Sequence, residues 1–307
     1  MRRAFSKALC DAAEKDPGVV FLTGDLGFQV FDDFVARFGP RYINVGIAEA
    51  QMVAMASGLA KEGFRPIAYS IASFMTARPF EQIRVCVSYP NLPVLLVGAG
   101  GGYAYSSSGV THHAGDDLAL MSLLPGMTVT APCDPSEIEL LLPQLLKLDG
   151  PSYMRVGKFG EPAVPALEAP VLGKARLLQR GAKVAVLTTG DMAAPAQAAV
   201  KELAVEGISP LLYHFHTVKP LDTGTLELIA AAAGTLIVVE EASPHGGLAA
   251  SVAGWLAAGG RGTRLVRLGP PDSFFFGSLS RETYAARQGY DKKGIMEACR
   301  KVWRQAA

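Results

Sequence analysis

Four side chains that can donate or accept protons stand beside predicted strand or helix ends. Glu49 lies in the first turn of a helical segment that begins at about Ala48, and Asp25 follows an apolar strand. The adjacent His112 and His113 follow a glycine-rich loop. Carboxyl and imidazole groups are common general acids and bases. Because acids are also frequent in first helical turns and in tight turns, the residue types indicate a site without naming a reaction.

The glycine-rich segment Gly98–Gly102 is a second feature that could contact a ligand. It lacks the Lys-Ser/Thr pair of a phosphate-binding P-loop and the spacing of a dinucleotide fingerprint. We therefore predict a flexible active-site loop at this position.

Short apolar runs alternate with helical patterns along the whole chain, which predicts an α/β fold with mainly parallel sheets. A helix is predicted from about Ala48 to Glu62, and another begins at Asp134. The first series of predicted strands comprises Val19–Thr23, Tyr42–Val45, Pro66–Ser70, Pro93–Gly98, Met127–Ala131 and Ser152–Val156.

A proline-spaced segment with little periodicity separates this series from a second one, as is typical of a surface linker. The pattern predicts two α/β domains, at residues 1–157 and 183–307, joined by a linker at residues 158–182. The second domain begins with a strand at Lys183–Thr188 and ends with a helix near Lys293–Gln305.

Composition excludes several classes of protein. Lys plus Arg number 29 and Asp plus Glu number 28, spread along the chain, so there is no basic stripe for nucleic acid or an anionic membrane. No apolar run is long enough to span a bilayer. The four cysteines form no C-x-x-C pair, which favours a reduced, cytoplasmic protein.

Several separated motifs together carry a family resemblance. The strings TGDLGF, INVGIAEAQMVAMASGLAKEG, PIAYSIASFMTARPFEQIR and GVTHH resemble the pyrimidine-binding domain of transketolases. Further along, HTVKPLD, VVEEASPHGGLAASVAGWL and RLGPPDSF look like the C-terminal domain of the same superfamily. The resemblance implies an enzyme that uses thiamine diphosphate to transfer a two-carbon ketol unit to an aldehyde. The donor that it implies is a ketose, which we expect to be phosphorylated.

One motif of full-length transketolases is missing. Their diphosphate and Mg²⁺ site uses a G-D-G motif, and this sequence contains GDL, GDD and GDM instead. The chain therefore resembles the C-terminal subunit of a split, two-chain transketolase. This resemblance implies a partner subunit that binds Mg²⁺ and the diphosphate, a shared thiamine diphosphate, an α2β2 assembly and no metal held by this chain.

The resemblance also assigns roles to residues of the cofactor site. Glu49 matches the glutamate that hydrogen-bonds N1′ of the aminopyrimidine and so activates the cofactor, and Ile47 precedes it in the same motif. Phe74 matches the aromatic residue that stacks on the pyrimidine ring. Asp25 matches an acid near the thiazolium. His112 fits a histidine that faces the reacting carbon and assists proton transfer to substrate hydroxyls, with His113 as a packing residue.

The substrate contacts implied by the resemblance are less complete. Arg3 and Arg155 align with arginines that grip the sugar phosphate, a task suited to a planar guanidinium. Ser108 stands where the family has an acid that recognises sugar hydroxyls, and glycine replaces a histidine upstream in that loop. Donor and acceptor selectivity therefore does not transfer from the family.

Three alternatives remain open from the sequence. The β subunit of a 2-oxoacid dehydrogenase shares both domains, although the segments around Phe74 and His112 look more like transketolase. Deoxyxylulose-phosphate synthase has a similar NVGIAEAQ pattern but is a single long chain. A regulatory protein descended from such a subunit would be expected to lack Glu49, which is present.

Overall fold

The first of two open sheets lies mainly in the N-terminal half of the chain. The computed structural model describes residues 1–158 and 160–305. The strands of the first half are β1 (Val19–Thr23), β2 (Tyr42–Asn44), β3 (Arg65–Ile71), β4 (Leu95–Ala99), β5 (Thr128–Thr130) and β6 (Ser152–Val156). The helices are α1 (Arg2–Lys15), α2 (Asp32–Phe38), α3 (Glu49–Lys61), α4 (Ala72–Ala77), α5 (Phe80–Gln82), α6 (Asp117–Leu123) and α7 (Pro135–Leu145), with short helical turns at Gly39–Arg41, Ile83–Ser88 and Ser106–Ser108.

The second half repeats the α/β pattern. Its strands are β7 (Arg176–Gln179), β8 (Lys183–Thr188), β9 (Leu211–His214), β10 (Thr217–Lys219), β11 (Ala233–Val239) and β12 (Arg264–Leu268). Its helices are α8 (Ala193–Val205), α9 (Thr223–Ala232), α10 (Gly247–Ala258), α11 (Arg281–Gln288) and α12 (Lys292–Gln305), and a 3-10 turn spans Gly190–Met192.

The sheet order confirms the predicted fold class. The seven-stranded sheet runs β10-β5-β6-β4-β3-β1-β2, and the five-stranded sheet runs β12-β11-β8-β9-β7. All neighbours pair in parallel except β10 with β5 and β7 with β9, which are antiparallel. Central strands such as β1 and β4 are buried along their whole length because helices cover both faces, as parallel sheets require. Helices α1, α2 and α7 cover one face of the first sheet, and α3, α4 and α6 cover the other.

Two strands depart from the sequence prediction. β7 lies inside the segment that the sequence assigns to a surface linker, and Leu177 and Leu178 on it are buried, as is Val164. β10 belongs to the second half of the sequence but extends the first sheet beside β5. Neither Arg-Leu-Leu-Gln in β7 nor Thr-Val-Lys in β10 is an apolar run of the kind that predicts a buried strand. Because β10 pairs with β5, the second half of the chain contributes a strand to the first sheet and so connects the two domains.

The buried side chain of Arg155 joins the domains at one point. Arg155 on β6 contacts Asp117 at the start of α6, where its Nε donates to Oδ2 at 2.9 Å. Its Nη1 also donates to the carbonyl oxygen of Glu241 in the second domain at 3.1 Å. Tyr153 donates its hydroxyl to the same Asp117 carboxylate at 2.7 Å. Both charges are buried, so each depends on the other for compensation.

A second buried network joins the domains around Glu137. Arg176 Nη1 donates to Glu137, the Cys133 N–H donates to Glu137 Oε2 at 2.7 Å, and His214 Nε2 lies 3.2 Å from the same oxygen. Nearby, His216 Nδ1 lies 3.0 Å from Thr217 Oγ1, while its Nε2 has no hydrogen-bond partner among the described residues. Burial lowers the pKa of His216 to about 4. A neutral imidazole is therefore built into this interface.

Within residues 1–158 and 160–305, no helix combines the length and the apolar character that crossing a membrane would require.

Replacing Arg155 with Ala is expected to destabilise the protein by about 3–5 kcal/mol, because the buried Asp117 carboxylate would lose its counter-charge. Chemical denaturation followed by circular dichroism measures the change. Arg264→Ala, which removes an exposed arginine on β12, is the matched control and should change stability by less than about 0.5 kcal/mol. Equal small losses for both variants would contradict the structural role of the pair.

Stability is expected to fall as the pH drops from about 6.5 to about 4, because the unfolded chain binds a proton on His216 in this range and the folded chain does not. The slope contributed by this group is about 1.4 kcal/mol per pH unit. His216→Gln should flatten this part of the unfolding free energy profile, whereas His245→Gln, at an exposed histidine, should leave it unchanged. A profile for His216→Gln that parallels the wild type would refute the assignment.

Candidate functional site

The carboxyl ends of β1, β2, β3 and β4 carry the predicted site residues to one edge of the first sheet. Asp25 follows β1, Glu49 follows β2, Phe74 follows β3, and the loop that holds His112 follows β4. Parallel neighbouring strands place their carboxyl ends side by side, which is where ligands bind in open α/β sheets. The structure therefore explains why residues up to 87 positions apart in sequence share one edge.

Glu49 is the first residue of α3 and is only 3% exposed. Gly46 precedes it with φ +72°, a left-handed conformation that turns the chain from β2 into the helix. Gly24, at the end of β1, lies so close that an added Cβ would stand 3.3 Å from the Gly46 carbonyl oxygen and 3.7 Å from Glu49 Oε1. The absence of a side chain at Gly24 leaves room beside the carboxylate.

Two side chains donate to the Glu49 carboxylate. The Ser70 hydroxyl on β3 donates to Oε1 at 3.1 Å. Arg78 Nη1 donates to Oε1 at 3.2 Å and to Oε2 at 3.1 Å. Ser70 is buried, whereas the Arg78 side chain is 46% exposed and approaches from the solvent side. The carboxylate therefore accepts hydrogen bonds from a buried hydroxyl, that of Ser70, and from a half-exposed guanidinium, that of Arg78.

Arg78, which donates to Glu49, also contacts the ring of Phe74. The Arg78 guanidinium carbon is 3.7 Å from the Phe74 ring centroid, a close cation–π contact. The His112 ring meets the Phe74 ring edge-on, with centroids 5.0 Å apart. Ser73 Oγ donates to the Thr111 carbonyl oxygen at 3.0 Å and so fastens the histidine loop to α4. The structure thus brings three predicted residues, Glu49, Phe74 and His112, into one cluster.

His112 has the electrostatic character of a neutral imidazole. Burial lowers its pKa below 6.5, and the charge of Arg78 lowers the pKa further. Its Nδ1 lies 2.9 Å from Thr111 Oγ1. The neighbouring His113 turns the other way, with Nε2 3.1 Å from the Ser106 carbonyl oxygen and its ring stacked on Phe275. Near pH 7 His112 can therefore accept a proton, while His113 packs within the loop.

Arg3 lies in a basic groove near this cluster. Arg2, Arg3 and Lys158 line a cleft of about 430 Å³ together with Phe28. Lys158 Nζ lies 4.1 Å from the ring centroid of Tyr105, whose ring is 5.6 Å from that of His112. The Tyr105 ring therefore lies between the groove and the His112 imidazole. The positive charge of the groove suits an anionic ligand.

Three other predicted residues are exposed at the surface. Asp25, with φ +56°, receives a hydrogen bond from Asn44 Nδ2 at 3.1 Å in a tight turn. Ile47 is 77% exposed just before α3, and Ser108 is exposed in the Ser106–Ser108 turn. All three stand in loops at the carboxyl edge of the sheet.

Arg155 corrects a sequence expectation. The resemblance assigns this residue to a sugar phosphate, but its Nε, Nη1 and Nη2 atoms all donate to Asp117 or to backbone carbonyl oxygens. The guanidinium is also buried. Sequence position on β6 could not reveal this, because the partner carboxylate lies 38 residues away. The geometry assigns Arg155 to the domain interface.

Sequence reasoning missed Arg78, Ser70, Tyr105 and Lys158. The spacing of Phe74 and Arg78, four residues apart in a helical segment, is the one signal that could have indicated the contact, because such residues are neighbours on a helix surface. Ser70 and Tyr105 reach the site only through strand pairing and loop folding.

Two features away from this edge contain groups that could bind a ligand. The cavity of about 740 Å³ at the domain interface is lined by residues that include Asp191, Glu241 and Arg281, whose ion pairs already satisfy one another. Cys133, Glu137 and His214 place potential metal-ligating atoms within 4.8 Å of one another. A metal ion there would compete with Arg176 for Glu137, so we assign the cluster to domain packing.

Two known protein-family domains match consecutive parts of the chain. Residues 1–159 match the domain described as "Transketolase, pyrimidine binding domain", and residues 173–295 match "Transketolase, C-terminal domain". The chain also superposes on a solved structure described as "Split gene transketolase, inactive beta4 tetramer". That superposition has a TM-score of 0.88 with 31% identity, and it covers 100% of this chain and 98% of the other.

Individual relatives give the same result. The chain is 34% identical to the 6-deoxy-6-sulfo-D-fructose transketolase subunit SqwH of Clostridium sp. (strain MSTE9), covering 98% of this chain and 94% of the relative. It is 32% identical to an apulose-4-phosphate transketolase subunit of Phocaeicola vulgatus, covering 96% of this chain and 94% of the relative. The 1-deoxy-D-xylulose-5-phosphate synthase of Symbiobacterium thermophilum is 34% identical, but the match covers only 45% of that enzyme.

The matched region covers 94% of each of the two subunit relatives and 45% of the synthase. The chain belongs to the transketolase family, the thiamine-diphosphate-dependent transferases, and has the pyrimidine-binding and C-terminal domains of a split-gene subunit.

Proposed function

We propose that this chain is the activating subunit of a two-chain transketolase that transfers a two-carbon ketol unit from an anionic ketose to an aldehyde. Glu49 would activate thiamine diphosphate, His112 would assist proton transfer at the substrate, and the groove around Arg3 would hold the anionic group. The observation that carries this proposal is the buried Glu49 carboxylate beside the Phe74 ring at the carboxyl edge of the sheet.

The residues at this edge fit an aminopyrimidine ring. A planar heterocycle needs an aromatic surface to stack on and a carboxyl group to hydrogen-bond its ring nitrogen, and Phe74 and Glu49 offer these two contacts. The missing side chain at Gly24 leaves space next to Glu49 Oε1. Bound there, thiamine diphosphate would supply the carbon that carries the ketol unit between substrates.

Glu49 would act by holding a proton at N1′ of the aminopyrimidine. Its carboxyl group is buried, so water does not compete for that hydrogen bond. Ser70, which donates to Oε1, fixes the orientation of the carboxyl plane. The α3 helix begins at Glu49 itself, so its backbone also fixes the position of the side chain.

His112 would act on the substrate side of the ring. Its lowered pKa leaves the imidazole neutral near pH 7, so a ring nitrogen can accept a proton from a sugar hydroxyl. The edge-on contact with Phe74 fixes the distance between the imidazole and the stacked ring. Asp25 and Ile47 would contact the cofactor from exposed loops, and Ser108 would face the sugar.

An anionic substrate group is supported by the charge of the groove. Arg2, Arg3 and Lys158 give the groove three cationic side chains, and Lys158 contacts Tyr105 in the loop that holds His112. Two of the relatives are named for a sulfonated and for a phosphorylated sugar. Sulfonate and phosphate both present several oxygens to arginine, so the groove fits either group.

A partner subunit would complete the cofactor site. The relatives are named as transketolase subunits, and the similar solved β tetramer is described as inactive. Ile47 is 77% exposed and Phe28 is 86% exposed at the edge of the site, which supports a protein surface that covers them. The partner would bind Mg²⁺ and the diphosphate, in an α2β2 assembly.

Glu49→Gln in the reconstituted two-chain enzyme is expected to slow proton exchange at C2 of the cofactor by orders of magnitude. Gln keeps the shape of Glu49 but cannot hold the proton at N1′, which costs about 3–4 kcal/mol in the barrier, comparable to removing a key transition-state donor. Hydrogen–deuterium exchange at C2, read by NMR after acid quench, measures the effect. His112→Ala is the contrast, since it should lower turnover and leave C2 exchange largely intact. Exchange at the wild-type rate in Glu49→Gln would refute the central assignment.

Arg3→Ala is expected to raise KM for an anionic ketose with little change in kcat, because a charge-assisted hydrogen bond worth about 1.5–3 kcal/mol is lost in substrate and transition state alike. Steady-state kinetics with a phosphorylated ketose and its uncharged counterpart measures it. KM for the uncharged sugar should stay constant. Arg264→Ala, at an exposed arginine on β12, is the matched control. An equal rise in KM for both sugars would exclude Arg3 as an anion contact.

A further inference from the structure

Arg78 makes both of the contacts that the proposed function assigns to the cofactor ring. Its guanidinium group stacks 3.7 Å from the Phe74 ring centroid. The same group donates to both oxygens of Glu49 at 3.1–3.2 Å. A guanidinium is flat, carries N–H donors in its plane and stacks on aromatic rings, and an aminopyrimidine shares this shape. An aminopyrimidine bound between Glu49 and Phe74 would therefore need the space that the Arg78 guanidinium fills.

We propose that Arg78 occupies the aminopyrimidine position in the unassembled subunit and must swing out before the cofactor binds. The inference rests on the proposed function, because it takes the Glu49–Phe74 pair to be the pyrimidine site. Arg78 is then an internal competitor that keeps the buried Glu49 carboxylate compensated while no cofactor is present.

The surroundings of Arg78 allow this movement. Its side chain is 46% exposed, in contrast to the buried Arg155 and Arg176, so the guanidinium can move into water without opening the core. Arg78 also lies just beyond α4, between that helix and the start of α5. A half-exposed ion pair is weak enough to exchange for another ligand. The Ser70 donor would remain on Glu49 after the exchange.

The alternative role for Arg78 is a permanent cofactor contact, in which it would stay at the edge of the site and bind the ring. The two roles predict opposite effects of its removal. A competitor lowers the apparent affinity for the ring, because only the fraction of molecules with the arginine swung out can bind. A permanent contact raises the affinity.

The test uses the full chain without a partner and the pyrimidine half of thiamine, 4-amino-5-hydroxymethyl-2-methylpyrimidine, as the probe. Saturation-transfer NMR and calorimetry give the dissociation constant for the wild type and for Arg78→Ala. We expect Arg78→Ala to bind the probe about tenfold more tightly than the wild type. In the wild type only the molecules whose arginine has left the site can bind, which weakens the apparent affinity. Arg84→Ala is the matched control, since Arg84 is an exposed arginine on the following helical turn that pairs with Glu81.

The outcomes of the titration distinguish the Arg78 proposal from the proposed role of Glu49. Tighter binding by Arg78→Ala that is lost in the Arg78→Ala, Glu49→Gln double variant supports the competitor. Equal or weaker binding by Arg78→Ala, with Glu49→Gln still reducing affinity, overturns the Arg78 proposal and leaves the role of Glu49 intact. Failure of every variant to bind the probe, or binding that ignores Glu49, overturns both.

A second measurement needs no ligand. The guanidinium charge of Arg78 helps to hold the pKa of His112 below its ordinary value. If Arg78 occupies this position in solution, Arg78→Ala should raise the pKa of His112, and Arg84→Ala should not. NMR titration of the imidazole signals reports both. An unchanged His112 pKa in Arg78→Ala would show that the guanidinium lies elsewhere and would overturn the proposal.

Discussion

Compensation of buried carboxylates is the constraint on which this structure depends. A carboxylate removed from water is stable only when hydrogen bonds and a counter-charge replace its hydration. Asp117 and Glu137 meet this requirement with buried arginines, which are fixed parts of the fold. Glu49 meets it with Ser70 and with the half-exposed Arg78. Glu49 lies at the edge of the sheet where ligands bind in this fold class, and its counter-charge is half-exposed.

The same constraint fixes the two domains relative to each other. Arg155 on the first sheet donates to the Glu241 carbonyl oxygen, and the Glu241 carboxylate in turn pairs with Arg281. The Tyr103 backbone N–H, in the loop that follows β4, donates to the same carboxylate at 2.9 Å. The loop that holds His112 is therefore anchored to the second domain as well as to the first. The C-terminal domain contributes to the site by holding this loop in place.

Charge is distributed unevenly around the cluster of Glu49, Phe74 and His112. Glu49 is a buried acid that accepts hydrogen bonds from Ser70 and Arg78. The groove lined by Arg3 and Lys158 is basic and open to solvent. This separation suits a reaction in which one end of the ligand is activated by a carboxyl group and the other end carries negative charge. His112, neutral because of burial and of the nearby cations, lies between the two.

The sequence alone predicted the parallel α/β architecture, because central strands such as β1 and β4 are apolar runs. The helices also have clear starts such as Asp134, which caps α7 by accepting from the Glu137 N–H at 2.8 Å. Helix and strand limits agree to within one or two residues at β1, α3 and β8. The motifs around Glu49, Phe74 and His112 also identified the family, since motif spacing survives in the linear sequence.

Only the tertiary structure decided which charged groups meet. Arg155 pairs with Asp117, and Arg78 covers Glu49, through contacts between elements that are far apart or differently oriented in the sequence. The addition of β10 to the first sheet is of the same kind, because three residues carry too little pattern to predict their partner. Local sequence determines whether a segment becomes a strand or a helix. The compensation of a buried charge depends on distance in space, and that distance is set only when the sheets and loops are packed together.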